Sequence, residues 1–190
     1  MPKLLGTGMA LALVATACAA SAPDPGPTVP AGALSPCVAR GVISEGEQLP
    51  GCEFEGMEGD PGLAVASLLG KPMVLNFWAS WCTFCVREMP DFDAVSRSVD
   101  EEVTFVGLNV LGIEGETRGA AETFKQRTGV TYRMVYDPKG AFYARFQPNV
   151  LNPVMPITIF ADEDGTVKDK HFGPLTRDAL RGKLTELFGI

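Results

Sequence analysis

Residues 74–90 read Val74-Leu75-Asn76-Phe77-Trp78-Ala79-Ser80-Trp81-Cys82-Thr83-Phe84-Cys85-Val86-Arg87-Glu88-Met89-Pro90. An apolar, strand-like run breaks into two cysteines and continues in helix-compatible residues, so the stretch predicts a strand, a turn and a helix start. Cys82 and Cys85 are three apart, and in the first turn of a helix that spacing brings their Cβ atoms within reach of a low-strain disulfide. At the helix N-terminus Cys82 meets unpaired backbone N–H groups and the positive end of the dipole, which stabilise a thiolate and make it the natural nucleophile. Cys85, a turn further in, suits a thiol that resolves a mixed disulfide. Two plainer readings stand beside this one, a structural bridge and half of a metal site. A zinc site usually needs a second Cys/His pair, and the one histidine, His171, lies far along the chain.

Outward from this stretch the elements alternate, which implies a mixed or mainly parallel sheet covered by helices, an α/β architecture. Residues 63–69 read as a short helix or turn leading into a core strand at 73–79, and a helix follows from 81 or 82 to 99 with Pro90 inside it. A buried strand is expected at 103–110, a loop at 112–117, a helix at 117–128 and a short strand at 132–136. A helical turn at 140–146 carries Phe142, Tyr143 and Phe146 toward the core rather than toward a ligand. Residues 156–160 and 166–172 form a hairpin about the Asp162-Glu163-Asp164-Gly165 turn. The closing helix at 176–187 places Leu180, Leu184 and Leu187 at helical spacing.

Length and composition bound the rest. The chain has 190 residues, 46% of them hydrophobic, enough for one domain of ordinary size plus a leader. Its formal net charge of −7 with few basic clusters excludes the electrostatic footprint of a nucleic-acid binder. Residues 1–17 have the layout of a secretory signal peptide, a short positive start, an uncharged apolar run and small residues after it. Ala15-Thr16-Ala17-Cys18 resembles the lipobox of bacterial lipoproteins, although Ala15 stands where leucine is usual; the same Ala-x-Ala suits ordinary signal peptidase. Lipidation of Cys18 leaves four of the five cysteines to form two pairs, which favours a lipid anchor over plain secretion. Residues 18–36, rich in proline, read as a tether too poor in apolar side chains to fold, and residues 37–190 as the domain. Within it Cys37 and Cys52 flank a Gly- and Pro-containing loop, match no redox or metal motif, and in an exported protein imply a structural disulfide; exchange with the Cys82/Cys85 pair is the sharper alternative.

Phe77-Trp78-Ala79-Ser80-Trp81-Cys82-x-x-Cys85, followed by Glu88 and Pro90, resembles the thioredoxin superfamily, and within it the TlpA/ResA branch of extracytoplasmic thiol-disulfide oxidoreductases. The likeness runs from Leu49 to the C-terminus and implies a thioredoxin-like fold with a central mixed β-sheet flanked by helices. It implies further that Met155-Pro156 carries a cis proline opposite the cysteines, with the Met155 backbone presented to a bound polypeptide; Pro153 is a weaker candidate. Glu88 is implied as a carboxylate beside the dithiol. A buried carboxylate with a raised pKa can take the proton of the resolving thiol; an exposed helix glutamate is the plainer reading. Two departures stand out. Asn76 occupies the strand position where thioredoxin has a buried aspartate, and Thr83 and Phe84 lie between the cysteines, where many relatives carry proline before the second. Trp81 reads as a wall beside Cys82, Thr83 and Phe84 as contacts for partner proteins, and His171 as an exposed strand residue.

The function expected is therefore disulfide exchange with protein thiols or disulfides outside the cytoplasm, on a protein lipid-anchored to the cell membrane. Electrons pass to or from a separate redox protein, because no nucleotide or flavin motif is visible, and no cofactor or metal is expected. Copper delivery, a redox-inactive binding module and thiol peroxidase are the rivals, the last without an identifiable Thr-x-x-Cys site.

Overall fold

The structure is a computed structural model that describes Met1, Cys37, residues 41–147, Asn149 and residues 151–190. Beyond Met1, the expected signal peptide, the tether and Cys18 lie outside the described residues.

A seven-stranded sheet organises the domain in the order β2-β1-β5-β4-β3-β6-β7. The strands are β1 (Glu53–Gly56), β2 (Leu63–Ala64), β3 (Met73–Trp78), β4 (Thr104–Asn109), β5 (Arg133–Tyr136), β6 (Ile157–Ala161) and β7 (Val167–Phe172). β3, β4 and β5 run parallel, while β6, β7, β1 and β2 pair antiparallel, so the sheet is mixed. β3 lies at its heart with every residue buried, as expected of a strand covered on both faces. Alternation along it sends Asn76 and Trp78 to one face, where Glu88 and Phe124 meet them, and Phe77 to the other, where Phe142, Tyr143 and Phe146 pack on its ring.

Three α-helices cover the sheet, α1 (Thr83–Ser96), α2 (Arg118–Thr128) and α3 (Arg177–Phe188). The starts of α2 and α3 are capped by hydroxyls, Thr117 accepting from the Ala120 N–H and Thr176 from the Ala179 N–H, and both end on a glycine with positive φ, Gly129 and Gly189. α1 is capped instead by sulfur. The Cys82 Sγ accepts from the Cys85 N–H at 3.1 Å, so the helix begins at Thr83, two residues later than Trp81. It ends at Ser96 rather than near Val99 because the backbone turns there, Arg97 N–H bonding to Asp93 and Ser98 N–H to Val95.

The main departure from expectation lies ahead of β3. Residues 53–56 form a strand in which only Phe54 is buried, a pattern too short to stand out in the sequence. Residues 63–69 divide into β2 and a 3-10 turn, Val65–Leu68. The segment before β1 is fastened to the body, with Ile43 N–H bonding to Arg145 O, Gly46 N–H to Val167 O and Leu49 N–H to Gly165 O.

Candidate active site

The turn between β3 and α1 is held by a buried carboxylate that the sequence did not single out. Glu116 accepts from the Ser80 N–H at 3.0 Å, from the Ser80 hydroxyl at 2.7 Å and from Asn109 Nδ2 at 2.7 Å. Nearby, Trp81 Nε1 donates to Ile113 O at 3.3 Å. The loop after β4 thus grips the two residues before Cys82, and charge-assisted bonds of this kind fix a turn firmly. The sequence signal was faint, a glutamate directly before the helix cap Thr117 in a stretch that otherwise reads as an exposed loop.

From that turn the chain delivers Cys82 to the N-cap of α1, and its sulfur is bonded to that of Cys85, with Cα atoms 5.3 Å apart. Cys82 keeps 4% exposure and Cys85 none, so a visiting sulfur meets Cys82 first. Three residues on, Glu88 is buried on the same helix. It accepts from Asn76 Nδ2 at 2.9 Å and from the Leu175 N–H at 3.1 Å. Burial pushes its pKa up to about 7, against the pull of those two donors. Thr158 on β6 joins the group by accepting from Asn76 Nδ2 at 3.2 Å.

Pro156 directly precedes β6, the antiparallel neighbour of β3. Register pairs Phe77 with Ile157, which sets Pro156 level with Trp78, and the Met155–Pro156 bond is cis. The segment before it is held by Tyr143, whose hydroxyl accepts from the Val154 N–H at 2.9 Å and donates to the Val154 carbonyl at 3.1 Å; burial pushes that phenol up to about 12. Met155 is half-buried, and Pro153 lines a groove with Trp81, Glu114, Leu151 and Asn152 of about 570 Å³. A separate cavity of about 280 Å³ is lined by Phe84, Arg87, Glu88, Asp91, Pro174, Leu175 and Thr176. Trp81, Phe84, Leu151 and Val154 are among the exposed large apolar residues of the molecule, and Arg87 lies over the Phe84 ring at 4.7 Å. Thr83 is exposed between the cysteines.

The remaining candidates lie apart. Cys37 and Cys52 are joined in a disulfide ahead of β1, Cα atoms 4.9 Å apart. His171 is half-buried on β7 opposite Thr158, a correction to the expected exposed position, because the β6–β7 pairing covers one side of it. No group of three or more metal-ligating side chains occurs among the described residues, and none of their helices is long and apolar enough to cross a membrane.

Comparison with known proteins places this arrangement. Residues 46–170 match the model of the AhpC/TSA family. The chain is 33% identical over 141 residues to the soluble secreted antigen MPT53 of Mycobacterium tuberculosis, covering 73% of this chain and 71% of that one. It is 30% identical over 123 residues to the thiol-disulfide oxidoreductase ResA of Geobacillus kaustophilus, 62% of this chain and 64% of that one. Among solved structures, the exposed lipoprotein thioredoxin Etrx1 of Streptococcus pneumoniae superposes with a TM-score of 0.61 at 26% identity, covering 73% of this chain and all of that one, 100%.

Proposed function

The chain belongs to the AhpC/TSA family and is a thiol-disulfide oxidoreductase of thioredoxin-like fold, and from that premise we propose that it exchanges disulfides with extended protein segments outside the cytoplasm. The observation that carries the reading is the Cys82–Cys85 bridge at the N-cap of α1, where the cap N–H and the helix dipole favour sulfur as a thiolate.

In the reducing direction, the Cys82 thiolate attacks one sulfur of a client disulfide, and the other client sulfur leaves as a thiolate. Cys85 then passes its thiol proton to the Glu88 carboxylate and attacks the Cys82 sulfur. The mixed disulfide breaks, the Cys82–Cys85 bond forms, and the client departs with both sulfurs reduced. The oxidising direction is the same sequence reversed. A second redox protein returns the dithiol to its starting state. Client backbone lies against Met155 ahead of Pro156, and its side chains rest on Trp81, Thr83 and Phe84. The Cys37–Cys52 bond serves the fold.

The localisation we propose rests on the sequence of the leader. The signal-like residues 1–17, the lipobox-like Ala15-Thr16-Ala17-Cys18 and the Pro-rich residues 18–36 support a protein held to a membrane by lipid on Cys18, and secreted MPT53 and lipoprotein Etrx1 are relatives in keeping with that. Cys18→Ser is expected to move the protein from the membrane to the soluble fraction; unchanged partition contradicts the anchor. For the chemistry, Cys82→Ser abolishes insulin reduction and Cys85→Ser accumulates covalent client complexes. Retained turnover in Cys82→Ser overturns the mechanism.

A further inference from the structure

Glu88, Asn76 and Thr158 form a closed polar cell under the dithiol helix, and all three side chains are buried, Thr158 completely. Asn76 Nδ2 serves both neighbours, at 2.9 Å to Glu88 Oε1 and 3.2 Å to Thr158 Oγ1. The other end of the same amide, Oδ1, is buried and has no hydrogen-bond partner among the described residues. A buried acceptor without a partner is costly. It stands, moreover, on the residue that touches the group cast as the proton acceptor of the dithiol.

The arrangement suits only one charge state of Glu88. An ionised carboxylate needs donors, and Asn76 Nδ2 supplies one. A protonated acid needs an acceptor for its O–H, and the donor now facing it cannot serve. A half-turn of the amide about its last torsion exchanges Nδ2 and Oδ1. Oδ1 then accepts from the Glu88 O–H, and the Thr158 hydroxyl, able to give as well as take, rotates to donate to the same oxygen.

We propose that Asn76 is a positioning residue whose amide swivels with the proton on Glu88, so that the bonds to Glu88 and Thr158 survive in both states with donor and acceptor reversed. The inference rests on Glu88 as the proton partner of Cys85. The proton leaves the Cys85 thiol and resides on Glu88 while the Cys82–Cys85 bond forms and the client thiolate departs; when a partner thiolate attacks the Cys82 sulfur and frees Cys85 as a thiolate, the proton returns to it. A titrating aspartate at position 76 would bring a second charge into the cell. The amide adapts to the first without one.

Other titratable or charged groups lie on the elements round Glu88. On α1, Arg87 and Asp91 share its cavity, and Asp91 is paired at 3.1 Å with Arg177 of α3. Ahead of β5, the Tyr132 phenol is pushed well up by burial, with the charges of Glu88 and Asp93 adding to it. His171 on β7 stands opposite Thr158. The hydrogen bonds to Glu88 among the described residues come from Asn76 and the Leu175 N–H.

The test is side-chain NMR on the full oxidised protein, in which neither cysteine of the pair titrates. The Glu88 13Cδ shift is followed between about pH 5 and about pH 9, together with the cross-relaxation between the Asn76 amide protons and the Thr158 side chain. The swivel predicts that this contact is strong above the Glu88 midpoint and lost below it, with the same midpoint. A contact that persists while Glu88 titrates, or a Glu88 shift that does not move over this range, overturns the proposal. In Asn76→Leu the midpoint rises by about one pH unit, because the bond lost to the ionised form is the stronger one; an unmoved midpoint contradicts the assignment. A swivel that tracks Glu88 while client release ignores pH would leave the amide coupled to the Glu88 proton and overturn the reading of Glu88 as the proton partner of Cys85.

Discussion

The two disulfides among the described residues are the same bond in two unlike settings. Cys37 and Cys52 are 15 residues apart, and the segment between them is already sewn to β7 and its turn by backbone hydrogen bonds. Closing a loop of that length restrains the unfolded chain, so the bond acts on stability. Cys82 and Cys85 are 3 apart. A loop so short adds little restraint, and what decides whether it is open or closed is local: the N–H aimed at the Cys82 sulfur, the helix dipole, and a buried carboxylate three residues on. Sequence separation thus divides the labour between the bond that holds the fold and the bond proposed to do chemistry.

Removing one sulfur from the Cys82–Cys85 pair should break the comparison most sharply. Cys82→Ser is expected to bring client reduction down to background with the melting temperature little changed, read by insulin turnover and calorimetry on the same sample. Glu88→Gln comes next. Loss of a positioned base is expected to slow release from the mixed disulfide by on the order of a hundredfold. In the native protein, release should quicken as pH rises through about 7, where Glu88 ionises, and the variant should lose that step in a stopped-flow pH series.

The same substitution makes a stability claim of known sign. The Glu88 pKa is raised from 4.5 to about 7 by folding, so its contribution is fully present below the unfolded value and is lost as pH rises through about 7. The native protein therefore bears a cost on the order of 3 kcal/mol above that pH. Glu88→Gln should raise the denaturation midpoint at pH 8 more than at pH 5, measured in urea; equal effects at both would contradict the burial account.

Smaller effects sharpen the contrast from the other side. Replacing Cys37 and Cys52 together by serine should cost about 3 kcal/mol of stability and leave exchange kinetics intact below the new melting point. Ser80→Ala removes one hydroxyl bond to Glu116 and should cost about 2 kcal/mol, with a modest drop in the rate of attack by Cys82, because the Ser80 N–H still holds the carboxylate.

Most of the fold was legible because it is written in long buried runs and strong punctuation. β3, β4 and β6 announce themselves as apolar stretches, β7 by the Asp162–Gly165 turn ahead of it, and α3 by Leu180, Leu184 and Leu187 at helical spacing. β1 was not, since four residues with Phe54 alone buried carry no periodicity to detect. Of the site, Cys82 and Cys85 are legible from their spacing at a helix start, while Glu88 and Pro156 were singled out only through the resemblance that the motif carries. Glu116, Tyr143, Thr158 and the Leu175 N–H were not, because each acts through a contact made only when distant segments fold together. His171 was misjudged for the same reason, its cover coming from strand pairing rather than from its neighbours in the chain.

One measurement bears on the division of labour most directly. The oxidised protein is equilibrated across a glutathione redox series, free thiols are alkylated, and each cysteine is mapped by mass spectrometry. The account predicts that Cys82 and Cys85 open and close reversibly together, with Cys82 the faster to be alkylated, while Cys37 and Cys52 stay joined throughout. Opening of Cys37–Cys52 first, or a Cys82–Cys85 bond that no glutathione ratio opens, would contradict it.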